Sequence, residues 1–319
     1  MTRYKAVKRA FYGLLFSTGF FLLSGCGLLM TTPNPLQELP IPRHVELTDV
    51  PFFTQGDDLC GPASISMVLN YRGQHLTPEK LEPLIYIPGR KGSLQAEMLA
   101  VTRRFGYIPY VIKPNLTALA QEINSGNPVV ILQNLGLSWY PKWHYAVVVG
   151  YDIDRDIFIL RTGDTSRKEM SRHWFMRYWA GSGNWAMVAM PPDQLPATAE
   201  EHDYVSSVAA LERLSKWSQI ATAYQTAIKA WPKSFFAHLG LGTAYYHQHK
   251  LALARDNYLK AVELQPDSAV AHNNLAQTLL ELGQVKLARQ HALKAVSLGG
   301  KSADQFRQTL QEIDSAKSN

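Results

Sequence analysis

A cysteine, a histidine and a glutamine offer the chemistry in this sequence. Cys60 stands in "TQGDDLCGPASISMVLNY" (residues 54–71), where Ile65, Met67, Val68 and Tyr71 recur at helical spacing. Pro62 suits a first helical turn, because its missing N–H is one that such a turn leaves unbonded anyway. Cys60 is therefore expected at or just before the start of a helix near 61–72. The first-turn N–H groups and the positive end of the helix dipole favour a thiolate there, and the thiolate is the nucleophilic form. Gln55 lies five residues upstream. Its amide is able to donate to the oxyanion formed when a thiolate attacks a carbonyl, a contribution of roughly 3–4 kcal/mol. His144 opens "HYAVVVGYD", which reads as a buried strand with an imidazole at its start. Held against a helix-start thiol, that ring takes the thiol proton and returns it to a leaving amine. Each residue also has a plainer reading: a small buried residue, a strand end and an exposed loop amide, respectively.

The elements that must position these groups follow from hydrophobic periodicity. Helices are expected at about 61–72, 77–86, 94–105 and 116–125, the second with Thr77 as cap and Pro78 in its first turn. Strands are expected at 107–113, 128–134, 144–151, 157–161 and 185–190. That order predicts an α+β domain of two lobes with a cleft between them. The loop "GLSWYPKWH" (136–144) borders the cleft; Trp139, Tyr140 and Trp143 either grip an extended peptide or cover strand ends. The aromatic cluster "HWFMRYWAGSGNW" (173–185) reads as core packing at the domain edge.

Gln55, "CGPAS" and, about 80 residues later, "HYAVVVGYD" together resemble the papain-like cysteine peptidases that remove double-glycine leaders from bacteriocins. The resemblance runs from roughly Val50 to Pro192 and takes in "GSLQAEMLAVTRRFGY" and "LAQEINSGNPVVIL". It implies Cys60 as nucleophile, His144 as base and Gln55 as oxyanion donor, with no cofactor and no metal. The family's third catalytic position is an Asp-Pro pair ending the strand after the histidine strand. Here Arg161 and Thr162 stand at that place and Asp164 follows. Asp164 brought back by its loop, Thr162, or a backbone carbonyl are the candidates to orient His144.

The N-terminus reads as an address. Arg3, Lys5, Lys8 and Arg9 precede the apolar run "AFYGLLFSTGFFLL", which is short for a membrane span of roughly 20 residues. "Leu23-Ser24-Gly25-Cys26" resembles the bacterial lipobox, which implies a signal peptide over 1–25 and lipidation of Cys26. An uncleaved anchor helix is the alternative. Gly27 rather than Asp implies delivery to the outer membrane, periplasmic face, in the common sorting pattern. Lipidation of Cys26 leaves Cys60 as a thiol in an exported protein, a reason to look for reactivity. Residues 26–46, rich in proline, read as an extended tether, and 47–192 as the peptidase domain.

After a linker at 193–203, the stretch 204–319 is helical and repeats at an offset of 34 residues. Tyr224, Tyr258 and Ala292 align, as do Ala227, Ala261 and Ala295; Pro232, Pro266 and Gly300 close the units. This is the tetratricopeptide pattern, in about three units with 235–268 the clearest. Such arrays bind peptides or proteins on a concave face, or act as spacers or dimerisation elements. The "HQHK" histidines (247–250) read as solvated loop residues rather than a metal site. Net charge falls from +6 to +2 without the four N-terminal cations, so a nucleic-acid partner has no basic patch to bind. The sequence therefore predicts a lipid-anchored cysteine peptidase whose repeats dock a peptide substrate or protein partner. The alternatives are a catalytically silent peptide-binding scaffold and an acyl transferase using the same cysteine.

Overall fold

The run from Tyr145 to Tyr151 is apolar at every position, so a strand made of it must be covered on both faces. The computed structural model, which describes residues 34–55 and 59–316, shows that arrangement. Seven strands form one antiparallel sheet: β1 (His44–Glu46), β2 (Ile108–Val111), β3 (Val129–Asn134), β4 (Trp143–Asp152), β5 (Ile157–Thr162), β6 (Thr165–Ser171) and β7 (Ala186–Met190). Their order is β2-β7-β3-β4-β5-β6. β3 pairs with the first half of β4, and β1 pairs with its end, Val45 opposite Tyr151.

Alternation along the strands sends their side chains into two cores. Val130, Tyr145, Val147, Val149 and Ile159 share a core with α1 (Cys60–Tyr71), α2 (Pro78–Ile85) and α3 (Gln95–Arg104). Ile131, Ala146, Val148 and Leu160 share the other with α4 (Leu116–Asn124), α5 (Arg172–Ala180) and the repeat helices. The α+β reading is correct, and the expected helices and strands stand within a few residues of their predicted ends. Three elements are additional. β1 lies in the segment read as a tether, where Leu36 is buried and Leu39 and Ile41 pack against the core. An extended tether is therefore the wrong description of residues 35–46: these apolar side chains find a surface to cover. β6 is an exposed, charged edge strand. α5 arises from the aromatic cluster, with Phe175 and Trp179 buried and Trp174 exposed. The signal sequence and Cys26 lie outside the described residues.

The helices of the C-terminal part are α6 (Glu201–Ala209), α7 (Trp217–Ala230), α8 (Phe235–His247), α9 (Leu251–Leu264), α10 (Ala269–Glu281), α11 (Val285–Leu298) and α12 (Ala303–Ala316). The offset of 34 has a visible cause in hydrogen bonds. Ser234 and Ser268 cap α8 and α10, accepting from the backbone N–H of Ala237 and Ala271. His238 and His272 bond through Nε2 to the carbonyls of Pro232 and Pro266 at 3.1 and 3.0 Å. His247, read as solvated, is exposed but stacks on Trp217 with ring centroids 3.9 Å apart. Among the described residues no helix is long and apolar enough to cross a membrane.

The linker is anchored rather than loose. Glu122 on α4 is fully buried, and its carboxylate accepts from the backbone N–H of Ala197 and Thr198, the Thr198 hydroxyl and the Asn127 amide. Tyr110 adds two more bonds, from its hydroxyl to Thr198 O and from Glu200 N–H to that hydroxyl. Removing the carboxylate strands four donors, the Asn127 amide on a buried side chain and three on the part-buried linker, and a buried donor costs about 1–3 kcal/mol when unsatisfied. Glu122→Ala is therefore expected to destabilise the protein by about 3 kcal/mol or more, and to open residues 193–200 to limited proteolysis. Urea unfolding and a timed protease digest measure both.

Candidate active site

Cys60 is the first residue of α1, with Leu59 as a cap that offers no side-chain bond and no acidic residue in the first turn. With no acidic side chain in that first turn, the helix dipole acts in favour of a thiolate. Pro62 falls in the first turn as expected. Gly61 is required by a close approach: a Cβ there would meet the Ser93 hydroxyl at 2.4 Å. Tyr145, the residue after His144, donates its hydroxyl to Ser93 O at 3.3 Å. Burial first, and then a Cys60 thiolate, push the Tyr145 phenol well up, and α1 packs against β4.

The other side chains meet at the end of β5. His144 Nε2 lies 2.7 Å from Thr162 Oγ1. Gly163 N–H donates to Gln55 Oε1 at 2.8 Å, and Gln55 N–H returns a bond to Gly163 O at 2.9 Å. Gln55 Nε2 then donates to the Ser64 hydroxyl at 3.3 Å, one turn beyond Cys60 on α1. With its carbonyl oxygen held by Gly163, the Gln55 amide turns its N–H groups toward the start of that helix. One N–H goes to Ser64, and the second is available to an oxyanion. Arg161, also buried, bonds the carbonyls of Thr48, Val50 and Ser166 and so fixes the segment that leads to Gln55.

His144 and Gln55 thus meet at the end of β5, and Gln55 bonds the helix that starts at Cys60. Asp164 is not the partner of the ring. The chain turns at Gly163 and leaves Asp164 exposed, while Thr162, still on the strand, takes the imidazole. Thr162 was one of three candidates; Arg161, Ser64 and the backbone of Gly163 were not foreseen. Nothing in the sequence marks a threonine at a strand end as a histidine partner. Thr162 engages Nε2, so Nδ1 is the ring nitrogen left for the thiol. With Nε2–H donating to Thr162 Oγ1, Nδ1 carries the lone pair that accepts the thiol proton. Burial first, and the nearby Lys142 charge second, push the ring's pKa down to about 4. The imidazole is therefore neutral at pH 7, the form that serves as a general base.

The aromatic loop stands open beside this site. Trp139 is 79% exposed, Tyr140 73% and Trp143 52%, so they do not cover strand ends. The loop is nevertheless well held: Asn134 Oδ1 accepts from Gly136 N–H and Lys142 N–H, and Leu137 and Tyr140 bridge each other. Among the described residues no three His, Cys, Asp or Glu side chains are grouped to hold a metal.

Comparison with known proteins agrees with this architecture. Residues 47–187 match the Peptidase_C39 like family, and residues 209–269 and 257–290 match two tetratricopeptide-repeat families. The chain thus carries a C39-like peptidase domain followed by tetratricopeptide repeats, and such repeats typically bind peptide or protein partners. Among solved structures, a C39-like peptidase from Bacillus anthracis is 19% identical with a TM-score of 0.39, over 46% of this chain and 97% of that one. The TPR2B domain of yeast Sti1, solved as a pHsp70 complex, is 18% identical with a TM-score of 0.35, over 36% and 96%. The Sgt2 TPR domain of Aspergillus fumigatus is 17% identical with a TM-score of 0.35, over 38% and 84%. No curated protein matches the chain.

A low pKa has a sign that can be checked. The folded ring, near 4, binds its proton less tightly than an unfolded histidine at 6.5. The unfolded state therefore takes up more protons between those values, and stability present above pH 6.5 is lost as pH falls toward 4. His144→Gln removes this contribution, so its stability relative to the parent improves on going from pH 7 to about 4.5. Thr162→Asp acts in the opposite sense on the ring: a carboxylate at Nε2 raises the His144 pKa, as followed by its C2–H chemical shift.

Proposed function

We propose that the protein is a cysteine peptidase that cleaves peptide bonds through Cys60, with His144 as base and Gln55 as oxyanion donor. The observation that carries this reading is the Gln55 amide, held through its carbonyl by Gly163 N–H so that its N–H groups face the helix that starts at Cys60. The thiol gives its proton to His144 Nδ1 as sulfur bonds to the substrate carbonyl carbon. Negative charge moves to the carbonyl oxygen, opposite the Gln55 N–H and the first-turn N–H groups. The tetrahedral species collapses, the C–N bond breaks, and Nδ1 returns its proton to the leaving amine. Water then attacks the thioester with Nδ1 again as base and releases the acid and the thiol.

An amine in place of that water makes the same site an acyl transferase. A silent peptide-binding scaffold is the other reading, and one observation favours it: the Thr162 hydroxyl brings no negative charge to stabilise an imidazolium. The substrate is an extended peptide gripped by Trp139, Tyr140 and Trp143, of the leader-processing kind to which the sequence resemblance points. Acyl chains on Cys26 hold the body at the periplasmic face of the outer membrane, since each buried methylene contributes about 0.8 kcal/mol. The repeats dock the substrate or a partner.

The test is digestion of a defined peptide mixture with mass-spectrometric identification of products. The parent protein yields new termini, Cys60→Ala yields none, and Gln55→Ala lowers kcat/KM by about 10²–10³. Peptide binding without products supports the scaffold, and amine-linked products support the transferase. Burying one aromatic side chain contributes about 1.5–3 kcal/mol, so Trp139→Ser with Tyr140→Ser is expected to raise KM tenfold or more at nearly constant kcat. An unchanged KM would remove the loop from the substrate site.

A further inference from the structure

The repeats carry an open cavity of about 590 Å³ lined from α6, α7, α8 and α10 and from the turn before α7. That is the size of a ligand site. Its apolar contacts are periodic. Phe236 and Val270 are 34 positions apart, occupy equivalent places on successive inner helices, and are 60% and 45% exposed. Leu239 on α8 also lines the cavity and is half-buried. Exposed apolar side chains at equivalent places on successive helices suit an extended chain crossing them.

The carboxylates Glu201 and Glu212 line the cavity together with one histidine, His202, and no lysine or arginine does. Glu212 is half-buried and accepts the Tyr224 hydroxyl at 2.8 Å. Tyr224 can lie flush there because residue 240 is glycine; a Cβ would stand 2.2 Å from its ring. Burial pushes the Glu212 carboxyl up, more than the Tyr224 hydroxyl and the nearby His247 pull it down. A cation entering the groove meets two glutamates, and a carboxylate entering it meets repulsion.

From this geometry we infer that the inner groove of the repeats binds an extended peptide segment carrying a lysine or arginine between apolar residues, with the cation at Glu212 and Glu201 and the apolar residues on Phe236, Leu239 and Val270. This site is separate from the cleft at Cys60 and does not depend on peptide cleavage.

The test is calorimetric titration of the full chain bearing Cys60→Ala, so that nothing is turned over. The probes are an acetylated, amidated nonapeptide with leucine at alternate positions and two arginines, and its counterpart with glutamate for arginine. The arginine peptide is expected to bind at least tenfold more tightly. Glu212→Gln is expected to weaken it at least fivefold, and Phe236→Ser to weaken both peptides. Glu201→Gln, at an exposed position, reports the same loss should Glu212→Gln perturb folding. Equal affinity for the two peptides, or no heat with either, overturns the inference. So does concentration-dependent dimerisation that Phe236→Ser abolishes, because the groove would then seat a second copy. Peptide cleavage is read in a different assay, so failure of one proposal leaves the other standing.

Discussion

The last residues of β5, Arg161-Thr162-Gly163, hold the site together. Arg161 reaches back to the carbonyls of Thr48 and Val50, Thr162 takes the imidazole, and Gly163 grips Gln55 through one bond to its side chain and one to its backbone. Three groups from distant parts of the chain thereby depend on one strand end. The strand is itself fixed, because β5 pairs with β4 on one side and β6 on the other. α1 joins the same group through Ser64, which accepts from Gln55, and its start is packed where Gly61 admits Ser93. Orientation is thus set before any substrate arrives, which is the condition under which a fixed donor is effective at an oxyanion.

A hydroxyl at Thr162 in place of a carboxylate changes the electrostatics without changing the topology. Burial keeps the ring neutral, and the threonine can fix its tautomer and angle while adding no charge. In the proposed mechanism the thiol proton is therefore transferred during attack, with no ion pair stored beforehand. The peptidase sheet and the repeats are also mechanically continuous. One apolar core runs from the second face of the sheet into the repeat helices, and the buried Glu122 carboxylate ties down the segment between them. A partner held by the repeats is carried on the same body as the cleft.

Much of this was legible in the sequence because the signals were local or periodic. The apolar run at β4, the proline after Cys60 and the 34-residue offset each report an element directly. Tyr224, Tyr258 and the aligned alanines are nearly or fully buried, so their spacing reflects packing. What stayed hidden depends on partners far away in sequence. β1 is three residues long and exists because β4 offers an open edge; β6 is charged and exposed, so no alternation marks it. Asp164 had the expected chemistry but the wrong position, because the turn at Gly163 comes before it. Thr162 had the position but an unremarkable side chain. Glu122 reads as an ordinary helical glutamate until the linker folds over it.

The most direct measurement of the central claim is the rate at which a peptidyl acyloxymethyl ketone modifies Cys60, followed by intact-mass spectrometry at pH 7. Assistance from a positioned base contributes about 10²–10⁴-fold. The account predicts complete, single modification at Cys60, slowed about 100-fold or more by His144→Ala. Equal rates in the two proteins, or a rate no faster than that of cysteine in an unfolded peptide, would contradict it.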